Sequence, residues 1–213
     1  MTNSEQPKVG RPVTNSHEQL LDRLIQAAVD ILDEQGADAD LSVNQLAQRA
    51  KISKRTVYTV VASKEELISH VMCRGIQTAT SVLDQPVASA AEARAVLAHF
   101  LKVWVGFACG PEAIGIYVMA IRERSRYPTI GEAYYRTRDE QGKQQLVAWI
   151  ERMRDKHFIA TDDPILAADL ALTMAAAERQ RVLALGVDVP LTPEQLERRV
   201  EAALQFVFRE KTA

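Results

Sequence analysis

Between Ser42 and Lys64 the chain carries five cations, Arg49, Lys51, Lys54, Arg55 and Lys64, and no acid. Cations clustered at one place are suited to neutralising phosphates. Among them lie Ser53, Thr56, Tyr58 and Thr59, whose hydroxyls and methyls are short enough to meet the edges of bases. The whole chain has a formal net charge of -2, so the remainder carries -7. A compact basic island on an otherwise acidic chain points to a polyanion contact at one place only.

Other chemistries find less support. The sequence holds no Gly-rich phosphate loop, no HExxH and no GxSxG, so no catalytic residue is assigned. His17, His70, His99 and His157 are dispersed, and no metal site or cofactor is called for. Cys73 and Cys109 form neither a metal-ligand spacing nor a disulfide framework, and buried, inert thiols are expected. A helical protein-interaction adaptor remains an alternative, although an adaptor needs no basic helix pair. A DNA-binding redox sensor acting through Cys73 or Cys109 is another.

The 213 residues are 47% hydrophobic and 25% charged, an ordinary globular composition for one or two domains. No apolar run approaches the roughly 20 residues of a membrane helix. The start, MTNSEQPKVGRP, lacks an apolar signal core, so a cytoplasmic protein is expected.

The pattern reads helix throughout, and an all-α fold of about nine helices is expected. Residues 1–15 form a polar arm in which Lys8 and Arg11, beside Gly10 and Pro12, suit a narrow minor groove. Ser16 caps a helix ended by Gly36. Ser42 caps a short one to about Ala50, Ser53 another to about Thr59, and Ser63 a fourth to about Leu83. Ser63 and Glu66 have the spacing of a capping box. Further helices are expected over 89–108, from Pro111 to near Pro128, over 129–157, over 163–185, and from Thr192 to near Lys211. The domains expected are the arm 1–15, a DNA-binding domain 16–62, and a ligand-binding and dimerisation domain 63–213.

Counted from Val43, the fourth, fifth, eighth, tenth, fifteenth and eighteenth residues are Leu46, Ala47, Ala50, Ile52, Val57 and Val60. These are the inward positions of two short helices crossing steeply, with Ala47 small where the backbones approach. The second helix then presents Ser53, Lys54, Arg55, Thr56, Tyr58 and Thr59 outward, the arrangement of a helix-turn-helix. Ser42, Asn44 and Lys64 complete the expected DNA contacts, since helix starts also offer free amides to phosphates.

The stretch SVNQLAQRAKISKRTVYTVVASKEELI is similar to the DNA-binding domain of the TetR family of bacterial transcriptional regulators. RYPTIGEAYY, from Arg126, resembles the subgroup with an AefR-like C-terminal domain. The resemblance implies three DNA-binding helices followed by six that bind a ligand and form a homodimer through the last two. It implies a repressor released from a palindromic double-stranded DNA operator by a small-molecule effector. Ser53, Lys54, Thr56, Tyr58 and Lys64 match the family's pattern. Three positions depart: Lys51 stands where the family places Gly, Arg55 where a small residue is common, and Thr59, Val60 and Val61 where His-Tyr-Phe is common. Lys51 is therefore expected in a left-handed conformation.

Singly, Trp104, Phe107, Tyr117, Met119, Trp149, Met153 and Met174 fit plain core; as a set they can line a cavity for a largely apolar or aromatic effector, with Arg122 and Glu178 as polar candidates or exposed ion pairs. His99, Glu123 and Arg179 lie near them in the same helices. Leu196, Val200, Ala203 and Val207 recur on the last helix and are expected to face a second subunit.

Overall fold

The computed structural model describes residues 16–187 and 190–208. The arm, with Lys8 and Arg11, lies outside them, as does Lys211. Among the described residues there are nine helices and no strand. They are α1 (His17–Gln35), α2 (Val43–Ala50), α3 (Lys54–Val60), α4 (Lys64–Thr80), α5 (Ala90–Ala108), α6 (Pro111–Arg122), α7 (128–155), α8 (164–184) and α9 (Pro193–Val207). Two are interrupted without being broken. α7 contains a π-helical turn at Arg138–Lys143 and α8 one at Thr173–Ala177, and helical dihedrals continue across both.

Caps set most starts. The side chains of Ser16, Ser42, Ser53, Ser63, Ser89, Asp163 and Thr192 each accept from the backbone N–H three residues on. At Ser63 the expected box is displaced by one residue, because the Glu66 carboxylate takes the Ala62 N–H at 2.6 Å. α4 stops at Thr80 and tightens into a 3₁₀ turn, Ser81–Asp84. α6 stops at Arg122, short of the expected Pro128. The amides of Glu123, Arg126 and Tyr127 bond back into the turn instead of prolonging the helix.

Lys51 ends α2 at φ 52°, ψ 47°, as the glycine comparison required. Ile52 N–H donates to the Ala47 carbonyl at 3.0 Å and Lys51 N–H to that of Gln48 at 3.3 Å, the Schellman pattern. The Arg23 guanidinium from α1 adds bonds to the Ala50 and Lys51 carbonyls, at 2.5 and 3.2 Å. A side chain at positive φ is strained, so Lys51→Gly is expected to stabilise the fold by up to about 1 kcal/mol. Urea melts check this, and an unchanged or lowered midpoint would show that the strain is relieved within the motif.

α5 is the central element. Phe100, Leu97, Leu101 and Trp104 are buried on it, each contributing about 1.5–3 kcal/mol of burial. One side faces α4 and the other α9, so this helix is covered on more than one face. Ion pairs from Arg94 to Glu201 and from Lys102 to Glu197 run α9 antiparallel to α5. Among the described residues no single helix is long and apolar enough to cross a membrane.

Candidate nucleic-acid interface and effector cavities

The basic island resolves into two groups. Arg49 is held by Glu34 in a two-pronged pair, and Lys64 lies 3.6 Å from Asp40. Both pairs tie elements together; Lys64, the one expected on phosphate, stands at the start of α4. Among the described residues Lys51, Lys54 and Arg55 have no acidic partner. They sit at the α2–α3 turn and the start of α3, beside Tyr58, which is 67% exposed.

The hydroxyls of α3 are already oriented. Ser53 Oγ accepts from Thr56 N–H at 3.0 Å and lies 2.8 Å from Thr56 Oγ1. Thr59 Oγ1 donates to the carbonyls of Arg55 and Thr56, both at 2.9 Å. Its proton is spent on its own helix. What it retains is acceptor capacity and a methyl group, suited to the amino groups of adenine or cytosine and to the thymine methyl. Beneath this face Leu46, Ala47, Ala50, Val57 and Val60 are buried, and Ile52 is half-buried. Ser42 caps α2, and Asn44 is exposed in its first turn.

Among the contacts that tie this unit and the start of α4 to the helices that follow, two stand out. The first is α6 against the α1–α2 turn. A Cβ on Gly115 would lie 2.7 Å from the Gly36 carbonyl oxygen, so only glycine permits this approach. Gly36 itself stands at φ 54°. Arg122, at the end of α6, donates to the carbonyls of Ala37 at 3.4 Å and Ala39 at 3.0 Å. It thus braces the α1–α2 turn. The second junction is Thr129, which opens α7 and donates to Glu65 at the start of α4. That bond holds the Glu65 carboxyl below the usual carboxylate range. Arg23, Gly115 and Thr129 were not singled out from sequence. Only a glycine inside a helix pattern could have flagged one of them.

The expected aromatic pocket is closed. Trp104 is 1% exposed and packs against Phe100 and Phe107, with ring centroids 5.9 and 5.7 Å away. A Cβ on Gly142, in the π-turn of α7, would lie 2.7 Å from its ring. Trp149, Met119 and Met153 are core residues too, and Met174 is half-buried against the core. These side chains fill the space they were expected to enclose. Phe107 and Tyr117 do line cavities, but different ones. Phe107 borders about 380 Å³ between α1, α4, α5 and α6. Tyr117 borders about 480 Å³ between α6, α7 and α8. Glu178 borders a third, of about 460 Å³, at the α8–α9 end, and is paired with Arg181.

The last-helix stripe is also internal. Val200, Ala203 and Val207 are buried against α5 and α8, and Leu196 is half-buried beside them. The spacing was read correctly as a covered face, but the cover is the same chain. Among the described residues no group of three His, Cys, Asp or Glu could hold a metal ion.

Residues 95–210 match the model of the AefR-like transcriptional repressor C-terminal domain, and residues 24–71 that of the bacterial regulatory proteins of the tetR family. The chain belongs to the TetR family. It is similar to a TetR-family regulator from Mesorhizobium loti MAFF303099, with 21% identity and a TM-score of 0.69 over 90% of this chain and 96% of that one. A TetR regulator from Agrobacterium tumefaciens gives 19% and 0.70 over 88% and 94%. The flavonoid-responsive regulator FrrA gives 25% and 0.60 over 89% and 95%. No curated protein sequence matches the chain. TetR proteins are DNA-binding transcriptional regulators, not enzymes. In this TetR chain the family's turn glycine is replaced by Lys51 without loss of the left-handed turn, which adds a third unpaired cation to the recognition face. Burial pushes the Cys109 thiol up to about 11 and raises Cys73 as well. At both thiols burial thus disfavours the thiolate form that a redox sensor uses.

Proposed function

We propose that the chain is a repressor that binds a palindromic operator as a homodimer, reads it with α3, and leaves it when a small, largely apolar or aromatic molecule binds. The observation that carries this reading is the exposed face of Lys51, Lys54, Arg55 and Tyr58 on an otherwise acidic protein. Residues 16–62 would act as the reader and 63–213 as the receiver and dimer scaffold. Thr56 and Thr59 would meet base edges, and Lys54 and Lys51 the phosphates. Arg55, with its planar fork, suits a guanine or a phosphate. Ligand control is supported by α6, which touches the reader at Ala37 and Ala39 and borders the cavity at Tyr117, and by α7, which borders the same cavity and is bonded to the start of α4. FrrA, responsive to flavonoids by its name, is in keeping with an aromatic effector.

The dimer face would be the outer side of α8 and α9. Leu166 is 49% exposed and Phe206 37%, with Leu170, Met174 and Ala177 half-buried along α8. Arg199 donates to the Met174 carbonyl at 3.4 Å. An antiparallel pair in that register brings Leu166 level with Phe206.

Selection from random duplex DNA tests the reading. Two inverted half-sites about 34–36 Å apart, or a multiple of this, are expected. No enrichment, or a single unpaired half-site, would contradict it.

A further inference from the structure

The cavity between α6, α7 and α8 has a chemistry of its own. Its walls include Tyr117, Tyr134 and Tyr135, with the first two rings 5.6 Å apart at 40°. Tyr134 Oη accepts from Gln180 Nε2 at 2.8 Å. Burial raises the Tyr134 hydroxyl above its ordinary range, so it keeps its proton and can donate. Two cations, Arg124 and Arg138, complete the lining, and no carboxylate does. Among the described residues neither guanidinium has an ion pair or hydrogen bond, whereas Arg49, Arg94, Arg122 and Arg181 are all engaged. Arg138 is moreover half-buried. A partly desolvated guanidinium beside an apolar wall lacks the partner that would offset its burial. The volume, about 480 Å³, lies in the range of small-molecule sites.

We propose that this cavity binds an aromatic carboxylate, its ring against Tyr117 and Tyr134 and its carboxylate bridging Arg124 and Arg138. The inference rests on the ligand-released reading above and names the class of ligand. It also supplies a route to the DNA. Arg124 lies in the α6–α7 turn, two residues after Arg122, and Arg138 lies in the π-turn of α7. An anion between the two cations draws the turn toward α7 and pulls on the bonds from Arg122 to Ala37 and Ala39.

The test is calorimetric titration of the full chain with benzoate, cinnamate and 2-naphthoate, each beside its neutral amide. At least one acid should bind, and its amide should bind at least tenfold more weakly. Arg138→Ala and Arg124→Ala should each weaken the acid at least tenfold, with Arg138→Lys restoring part of it and melting temperatures unchanged. Equal binding of acid and amide, no binding of any acid at millimolar concentration, or indifference to both arginines would overturn the site. That failure is separate from one of the regulator reading, which falls if no DNA site is selected. An acid that binds through both arginines yet leaves operator affinity unchanged would support the site and overturn the route to the DNA.

Discussion

Leu166→Glu together with Phe206→Glu is expected to give folded monomers that no longer hold the operator. Both side chains are exposed in the single chain, so charge there costs the fold little. In a dimer on the α8–α9 face each glutamate would be buried without a partner, a penalty of several kcal/mol per subunit. Operator affinity should fall by at least about 100-fold, since one subunit contacts only one half-site. Ala203→Glu and Val207→Glu make the contrasting pair. They lie inside the subunit and should lower the melting temperature instead of releasing intact monomers. Light scattering with a thermal melt separates the two. A dimer that survives the first pair of changes would place the interface elsewhere.

Gly115→Ala has the second large effect. The added Cβ would lie 2.7 Å from the Gly36 carbonyl oxygen and 2.8 Å from Leu32 Cδ2. A backbone oxygen cannot step aside as a side-chain end can, so α6 and the α1–α2 turn must separate. Overpacking of this kind costs about 1–3 kcal/mol. If the junction sets the position of the reader, roughly that energy is taken from DNA binding, a loss of about 5- to 150-fold at 1.4 kcal/mol per decade. The dimer should be unaffected. A lowered melting point with unchanged operator affinity would show that the junction is structural and carries no signal.

Much of the fold was legible because its signals are local. Serine and threonine caps, Pro111 and Pro193 at helix starts, and Gly36 at a helix end mark boundaries within a few residues. The inward set from Leu46 to Val60 follows from spacing alone. What was not legible depends on partners distant in sequence. Nothing near Arg49 says that Glu34 will occupy it, or near Lys64 that Asp40 stands opposite. Trp104 fitted core or cavity wall equally well by spacing, and Gly142 lying against its ring decides for the core. The last-helix stripe showed the same ambiguity: periodicity says that a face is covered, and only the contacts with α5 and α8 say by what.

The central claim is that the unpaired cations of the α2–α3 region position the protein on phosphates while Thr56 and Thr59 read bases. Operator binding measured across a salt series, on the selected site and on single-base variants of it, tests this most directly. Lys54→Ala should weaken binding to every variant alike and reduce the salt slope by about one unit per lost contact per subunit. Thr59→Val keeps the methyl and removes the acceptor, and it should change preference at one base pair per half-site by roughly 1–3 kcal/mol with the slope unchanged. The opposite assignment, with Lys54→Ala altering base preference and Thr59→Val lowering all affinities uniformly, would mean that α3 meets the DNA with a different face.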